Sequence, residues 1–335
     1  MKAMSIASDA PIPLSELRKR LSHKTYKWLE EYDEKEAKYL ESMNESIGAR
    51  NIFHQPDKDD DENNRVREWC SSSSNVDGVG GYRYSYEDGC AKVEKSALRV
   101  KYILSDAAGG HGDDLWAASR HISNIFANIE KCKELLSPVM SRDFHPLLGK
   151  KVIELGAGAG LPSWTALHCG AQVICTDQAI PNRIRCLAES AERNFRIIEQ
   201  NEKCTVYADM VRVCPYDWGA SIKDITELIQ EQCEGHSIID GRLFDVVIAA
   251  DCIYMPNFHS PLLESIMMLM SKTGVALLPF SLHGNVQDEA VWSIINLASI
   301  KGLEVKIFEP TQLTPQAQCM DMKRALVHTI RLTWK

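Results

Sequence analysis

From about Asp113 onward, short apolar runs alternate with amphipathic segments, and this alternation constrains the chain more than any other feature. The runs are "KVIEL" (151–155), "AQVICTD" (171–177), "FDVVIAAD" (244–251) and "VALLPF" (275–280). They are too continuously apolar to leave one face in water, so they read as strands buried on both faces. "KCTVYA" (203–208) reads as a further strand. Between them, "SWTALHCG" (163–170), "NRIRCLAESAERNF" (182–195) and "SPLLESIMMLMSKTG" (260–274) read as helices. Pro261 stands at the start of the last and Gly274 past its end. Met267, Met268 and Met270 within it read as core. Alternating strands and helices predict an α/β, doubly wound, mostly parallel sheet. "LEVKIF" (303–308) and "RALVHTIRLTW" (324–334) alternate with period two and lack a long helix between them. They are expected as an antiparallel pair at the sheet edge.

The first third has a different texture. Leu14, Leu17 and Leu21, then Leu29, Tyr32, Leu40, Met43 and Ile47, recur at helical spacing. Residues 1–53 therefore read as a helical extension packed on the main domain or docking a partner. "QPDKDDDENN" (55–64) is an acidic run, and "SSSSNVDGVGG" (71–81) offers nothing with which to build a core. Residues 54–81 are expected to form a linker or long loop, with the main domain spanning 82–335. "GYRYSYED" (81–88) and "ALRVKYIL" (97–104) suggest a hairpin.

Among 335 residues the net charge is −8, which argues against binding nucleic acid through its phosphates. None of the eleven cysteines forms a C-x-x-C pair, so they are expected as reduced thiols in a cytoplasmic or nuclear protein. No run reaches bilayer-spanning length, so no membrane association is expected.

Ligands of such sheets sit at the carboxyl ends of the strands. The first turn there is "ELGAGAGLPS" (154–163), with Gly156, Gly158 and Gly160 at alternate positions. A dinucleotide fingerprint needs a small residue where Leu161 stands, and no Gly-Lys-Ser/Thr of a P-loop follows. Glu154, at the end of the strand, suits a cationic ligand better than a pyrophosphate. Asp177, 23 residues later, can accept hydrogen bonds from both ribose hydroxyls. Ribose recognition with an acid for a cation points to S-adenosylmethionine, which carries a sulfonium, an ammonium and an adenosine. The plainer readings stay open: Glu154 as partner to a helix dipole, Asp177 as an N-cap.

Four stretches resemble the seven-strand S-adenosylmethionine-dependent methyltransferases, and within them methyltransferase family 16, the lysine methyltransferase-like group. They are "GDDLWAASRHISN", "KVIELGAGAGLPS", "YDWG" and "ADCIY", and the resemblance spans about 96–335. It implies a seven-stranded Rossmann-like fold and marks Asp251 and Tyr254 as the acceptor site, hence the candidate catalytic pair. The prolines of the Asn/Asp-Pro-Pro-Tyr motif of base and glutamine methylation are missing. The resemblance also puts Trp218 on the adenine, Asp217 at the ring edge and Trp116 at the methionine end. Trp116 falls one residue later after Gly112 than the family pattern has it. Gln178 and Ala250, beside Asp177 and Asp251, complete the cofactor-binding set. "GLPS" and "FSLHG" (280–284) look most like a nicotinamide N-methyltransferase-like branch linked to elongation-factor methylation. The implied substrate is a protein amine, a lysine of a translation factor. A nicotinamide-like small molecule and a non-catalytic cofactor-binding module are the alternatives. His111, Asp113 and Asp114 lack a further ligand at metal spacing, so no metal is expected.

Overall fold

A computed structural model describes residues 10–47, 65–71, 82–87, 90–95, 98–105, 115–136, 145–201, 210–232, 243–284, 286–312 and 326–335. The expected strand at 203–208, most of the acidic and serine-rich stretch, and the loop holding His111 to Asp114 lie outside these residues.

The apolar runs form the strands of one sheet: β5 (Lys151–Leu155), β6 (Gln172–Asp177), β7 (Val211–Pro215), β8 (Phe244–Ile248), β9 (Met270–Ser281), β10 (Leu303–Gln312) and β11 (Leu326–Trp334). Their order is β10-β11-β9-β8-β5-β6-β7. β11 alone runs antiparallel to its neighbours, inserted between β9 and β10, so the expected antiparallel pair does close this edge. Successive side chains divide between the two faces. Val152, Val173, Val246 and Leu277 join one core, with α3 (Ala117–Phe126), α5 (Leu161–His168) and α6 (Pro181–Asn201). Ile153, Ile174, Val247 and Leu278 join the other, with α7 (Lys223–Gln232), α8 (His259–Leu269) and α10 (Ile294–Ile300). Strands buried on both faces are apolar at nearly every position, which is what made them readable.

Four expectations need correction. The hairpin pairs β2 (Tyr82–Glu87) with β3 (Cys90–Lys95), while β4 (Arg99–Ile103) pairs with β1 (Val66–Cys70). The stretch between the acidic and serine-rich runs is thus a strand and not part of a loop. α8 ends at Leu269, earlier than expected, so Gly274 lies inside β9 and not at the helix end; a Cβ there would come within 2.7 Å of the Phe244 carbonyl oxygen of β8. Of the three methionines, Met270 is buried and Met267 partly so, but Met268 is exposed.

The N-terminal segment contributes to the first core through Leu17 of α1 (Leu14–Leu17), Leu21 after it and Leu29 of α2 (His23–Ile47). It lies over the polar face of α6. Arg20, fully buried, donates to Glu192 at 2.8 Å and stacks on the Phe195 ring at 3.8 Å. Arg193 reaches the Ala10 carbonyl at 2.6 Å, and Arg185 pairs with Asp33. β4 binds the same helix through Ser190 and Asn194. Among the described residues no helix is long and apolar enough to cross a membrane.

Candidate active site

At the carboxyl end of β5 the backbone turns through Gly156, Gly158 and Gly160, with φ of +65°, +55° and +71°. These left-handed values are open to glycine at little cost and are unfavourable for other residues. There is no room for side chains either. A Cβ on Gly156 would stand 2.9 Å from the Trp218 ring and 3.0 Å from the Cys252 sulfur. One on Gly160 would stand 2.6 Å from Trp164. The indole of Trp218 therefore lies directly against the turn.

Glu154 is fully buried. Its Oε2 accepts from the Ser163 backbone N–H (2.9 Å) and hydroxyl (2.5 Å), which caps the first turn of α5. The helix-end reading is thus correct for one oxygen. Among the described residues, Oε1 is buried with no hydrogen-bond partner. Burial, opposed by the Ser163 bonds, pushes the carboxyl up to about 8. A buried acceptor left unsatisfied costs about 1–3 kcal/mol, and a cationic ligand would relieve it.

Asp177 ends β6. Its Oδ2 accepts from Gly158 N–H (2.7 Å), and Oδ1 from Gln178 N–H (2.8 Å) and the Arg183 guanidinium (3.1 Å). It does not cap α6, which begins at Pro181. By count of lone pairs, Oδ2 retains one position for a further donor. Gln178 and Asp217 are exposed, and Ala250 is buried past the end of β8.

The turn after β8 gathers the residues expected at the acceptor site. Asp251 has φ +53°, the sole positive value for a non-glycine among the described residues. Its N–H bonds the Pro279 carbonyl (2.8 Å), which fixes its place. Oδ1 accepts from Ser281 N–H (2.9 Å) and lies 3.2 Å from His283 Nε2. Oδ2 accepts, at 3.4 Å, from the Ala118 N–H in the first turn of α3. The His283 ring stands edge-on to Trp116 (4.9 Å) and Tyr254 (6.4 Å). Burial raises the Tyr254 phenol, with smaller contributions from Cys252, Asp177 and Asp251. Met255 and Phe258 are exposed beside the turn, and Phe258 meets Trp218 edge-on at 6.1 Å.

The expected residues thus form two neighbouring groups. The first holds Glu154, the glycine turn, Asp177 and Trp218. The second holds Asp251, Tyr254 and Trp116. Sequence reasoning missed Ser163, Cys252, Arg183 and His283. His283 had a signal: it stands two residues past the end of β9, at the same rim as the other site residues.

Residues 94–290, more than half of the chain, match the family model described as lysine methyltransferase. The chain belongs to the lysine methyltransferase family. It is a methyltransferase whose cofactor is S-adenosylmethionine. The site fits that molecule: an orphaned buried carboxylate oxygen for its ammonium and a turn without side chains beside a tryptophan face.

Curated relatives carry the name protein N-terminal and lysine N-methyltransferase EFM7. That of Gibberella zeae is 26% identical over 63% of this chain and 73% of its own length. That of Aspergillus fumigatus is 28% identical over 63% and 72%. That of Schizosaccharomyces pombe is 26% identical over 55% and 68%. A solved TehB-like SAM-dependent methyltransferase from Corynebacterium glutamicum is 16% identical, covers 67% of this lysine methyltransferase family member and 90% of its own chain, and has a TM-score of 0.37.

Proposed function

We propose that this family member transfers a methyl group to an amine of a protein, a lysine or an N-terminus of a translation elongation factor, in the cytosol. The observation that carries the reading is the juxtaposition of Glu154, with its orphaned buried oxygen, and the Asp251–Tyr254 turn, whose Cys252 sulfur lies 3.2 Å from the Leu155 carbonyl that follows Glu154. One suits the ammonium of the cofactor. The other suits an incoming amine. Exposed Met255 and Phe258 beside that turn offer apolar surface to a macromolecule. The acidic net charge of −8 is compatible with a basic partner.

In this reading Glu154 holds the ammonium and Asp177 the ribose hydroxyls, sharing its carboxylate with Arg183. Trp218 walls the adenine and Trp116 the methionine end. When bound, S-adenosylmethionine supplies a methyl group already activated on sulfonium, so the protein need mainly position and desolvate the amine. The aromatic rings of Trp116 and Tyr254 favour the neutral amine by excluding water. Asp251 fixes the wall of the acceptor channel.

Methyl transfer from labelled S-adenosylmethionine should be compared on purified translation elongation factor, nicotinamide and duplex DNA. Labelling of the factor is expected, with loss in Tyr254→Ala and little change in cofactor affinity. Robust labelling of nicotinamide with none on protein would overturn the reading.

A further inference from the structure

The acceptor reaches the site as an ammonium ion, since a lysine amine titrates near ~10.4 and an α-amine near ~7.7–8.0. Its lone pair must be freed before transfer, so some group must take a proton. The residues at the acceptor turn can be sorted on geometry. Asp251 is the obvious base in sequence, yet its two oxygens already face three donors: Ser281 N–H, Ala118 N–H and His283. It is buried and its backbone is held at φ +53° by the Pro279 carbonyl, so it cannot swing out. Tyr254 keeps its own proton, because burial raises its phenol. Glu154 and Asp177 belong to the glycine turn and are tied to Ser163, Gly158 and Arg183.

His283 is placed differently. One ring nitrogen meets Asp251 at 3.2 Å, and its side chain is a quarter exposed. The ring meets both Trp116 and Tyr254 edge-on, the two aromatics assigned to the methionine end and the acceptor. Among the described residues, the titratable groups in contact with it are Asp251 from the end of β8 and Tyr254 from the loop that follows, while Trp116 stands at the N-cap of α3. Asp177, Arg183 and Cys252 also act on the Tyr254 phenol.

We propose that His283, oriented by Asp251, is the base that deprotonates the acceptor amine. This rests on the protein-amine reading above. The ring nitrogen not engaged by Asp251 accepts a proton from the ammonium, and the N–H bonding pair becomes the amine lone pair. That pair forms the new N–C bond as the C–S bond breaks, and the C–S electron pair stays on sulfur. The sulfonium becomes a neutral thioether and the amine a methylammonium. The imidazolium, stabilised meanwhile by the Asp251 carboxylate, returns its proton to solvent. A carboxylate that orients an imidazole and steadies its charged form is the relation that activates nucleophiles in acyl-transfer triads.

The test is the pH dependence of methyl transfer from labelled S-adenosylmethionine into a total cytosolic protein fraction, which needs no named acceptor. With the wild type, the rate should rise with pH through one ionisation and level off, since the base must be neutral to work. With His283→Gln the rate near neutrality should fall about 100-fold, the lower range for general-base catalysis. It should then climb with pH without a plateau, following the free amine alone. Asp251→Asn, which keeps an acceptor for the ring but removes the charge, should lower the plateau rate. Binding of S-adenosylhomocysteine should be unchanged in His283→Gln, which also reports a folded site. A His283→Gln profile parallel to wild type, whether equal or uniformly lower, would overturn the base and leave a structural role. Lost S-adenosylhomocysteine binding would also overturn it, by placing His283 on the cofactor. If the wild type labels no protein at all, the protein-amine reading fails first and this inference with it.

Discussion

Glu154→Gln isolates the electrostatics of the cofactor site. Moving a carboxyl from 4.5 to about 8 disfavours its ionised form by about 5 kcal/mol, at about 1.4 kcal/mol per pH unit. The folded value lies above the unfolded one, so the folded protein holds a proton that the unfolded chain releases between these limits. The stability from this group is full below pH 4.5 and is lost as pH rises through about 8. Glutamine cannot ionise. The stability difference between variant and wild type should therefore grow in the variant's favour by up to about 5 kcal/mol from pH 4.5 to 9, read by urea unfolding without ligand. Binding reverses the preference. The ammonium of S-adenosylhomocysteine beside Oε1 favours the carboxylate, so binding at pH 7 should expel about 0.9 proton, falling toward about 0.1 at pH 9. Calorimetry in buffers of different ionisation enthalpy measures that number directly. In Glu154→Gln the release should vanish and affinity should fall about 10- to 100-fold, the scale of a hydrogen bond to a charged group. Equal proton release in the variant, or none in the wild type, would refute the assignment of Glu154 to the ammonium.

Asp177→Asn should weaken S-adenosylhomocysteine by about 1–3 kcal/mol in the same titration; undiminished binding would remove Asp177 from the ribose. Gly160→Ala should destabilise the fold by about 2–4 kcal/mol in urea, because it adds left-handed strain to a 2.6 Å clash with Trp164. Arg20→Ala should cost about 3–5 kcal/mol by leaving Glu192 buried with one partner fewer; an effect below about 1 kcal/mol would show that the N-terminal segment sits loosely on α6.

The central strands were legible because a strand covered on both faces has no polar register to hide in: "FDVVIAAD" and "VALLPF" could hardly be anything else. The first glycine turn was legible for a related reason. Three alternate glycines after an acid have few structural uses, and all three proved left-handed. Pairing was harder. Arg99–Ile103 shows a half-buried alternation, but its partner Val66–Cys70 lies between an acidic run and a serine run, and nothing local advertises it. β7 went unread because "VRVCP" is short and follows the more apolar "KCTVYA"; its place is set by pairing with β6, from Val173 with Val211 to Asp177 with Pro215. In the site, residues within the resemblance motifs or at strand ends were found, whereas His283 and Ser163 are known only through partners elsewhere in the sequence. Their partners Asp251 and Glu154 stand 32 and 9 residues away.

The insertion of β11 between β9 and β10 has a consequence for how the sheet assembles. During synthesis β10 emerges before β11, yet it has no strand to pair with until β11 arrives. β9 likewise leaves one edge open over the same interval, along a run from Ala276 to Ser281 that is almost wholly apolar. For the time it takes to make the intervening residues, the half-made sheet carries an unpaired hydrophobic edge. Such an edge is a template for pairing with other chains. The nine residues of β11 close it at one stroke, supplying both missing ladders. A ribosome that stalls between β10 and β11 would therefore release a chain with every candidate site residue present and its sheet still open to aggregation.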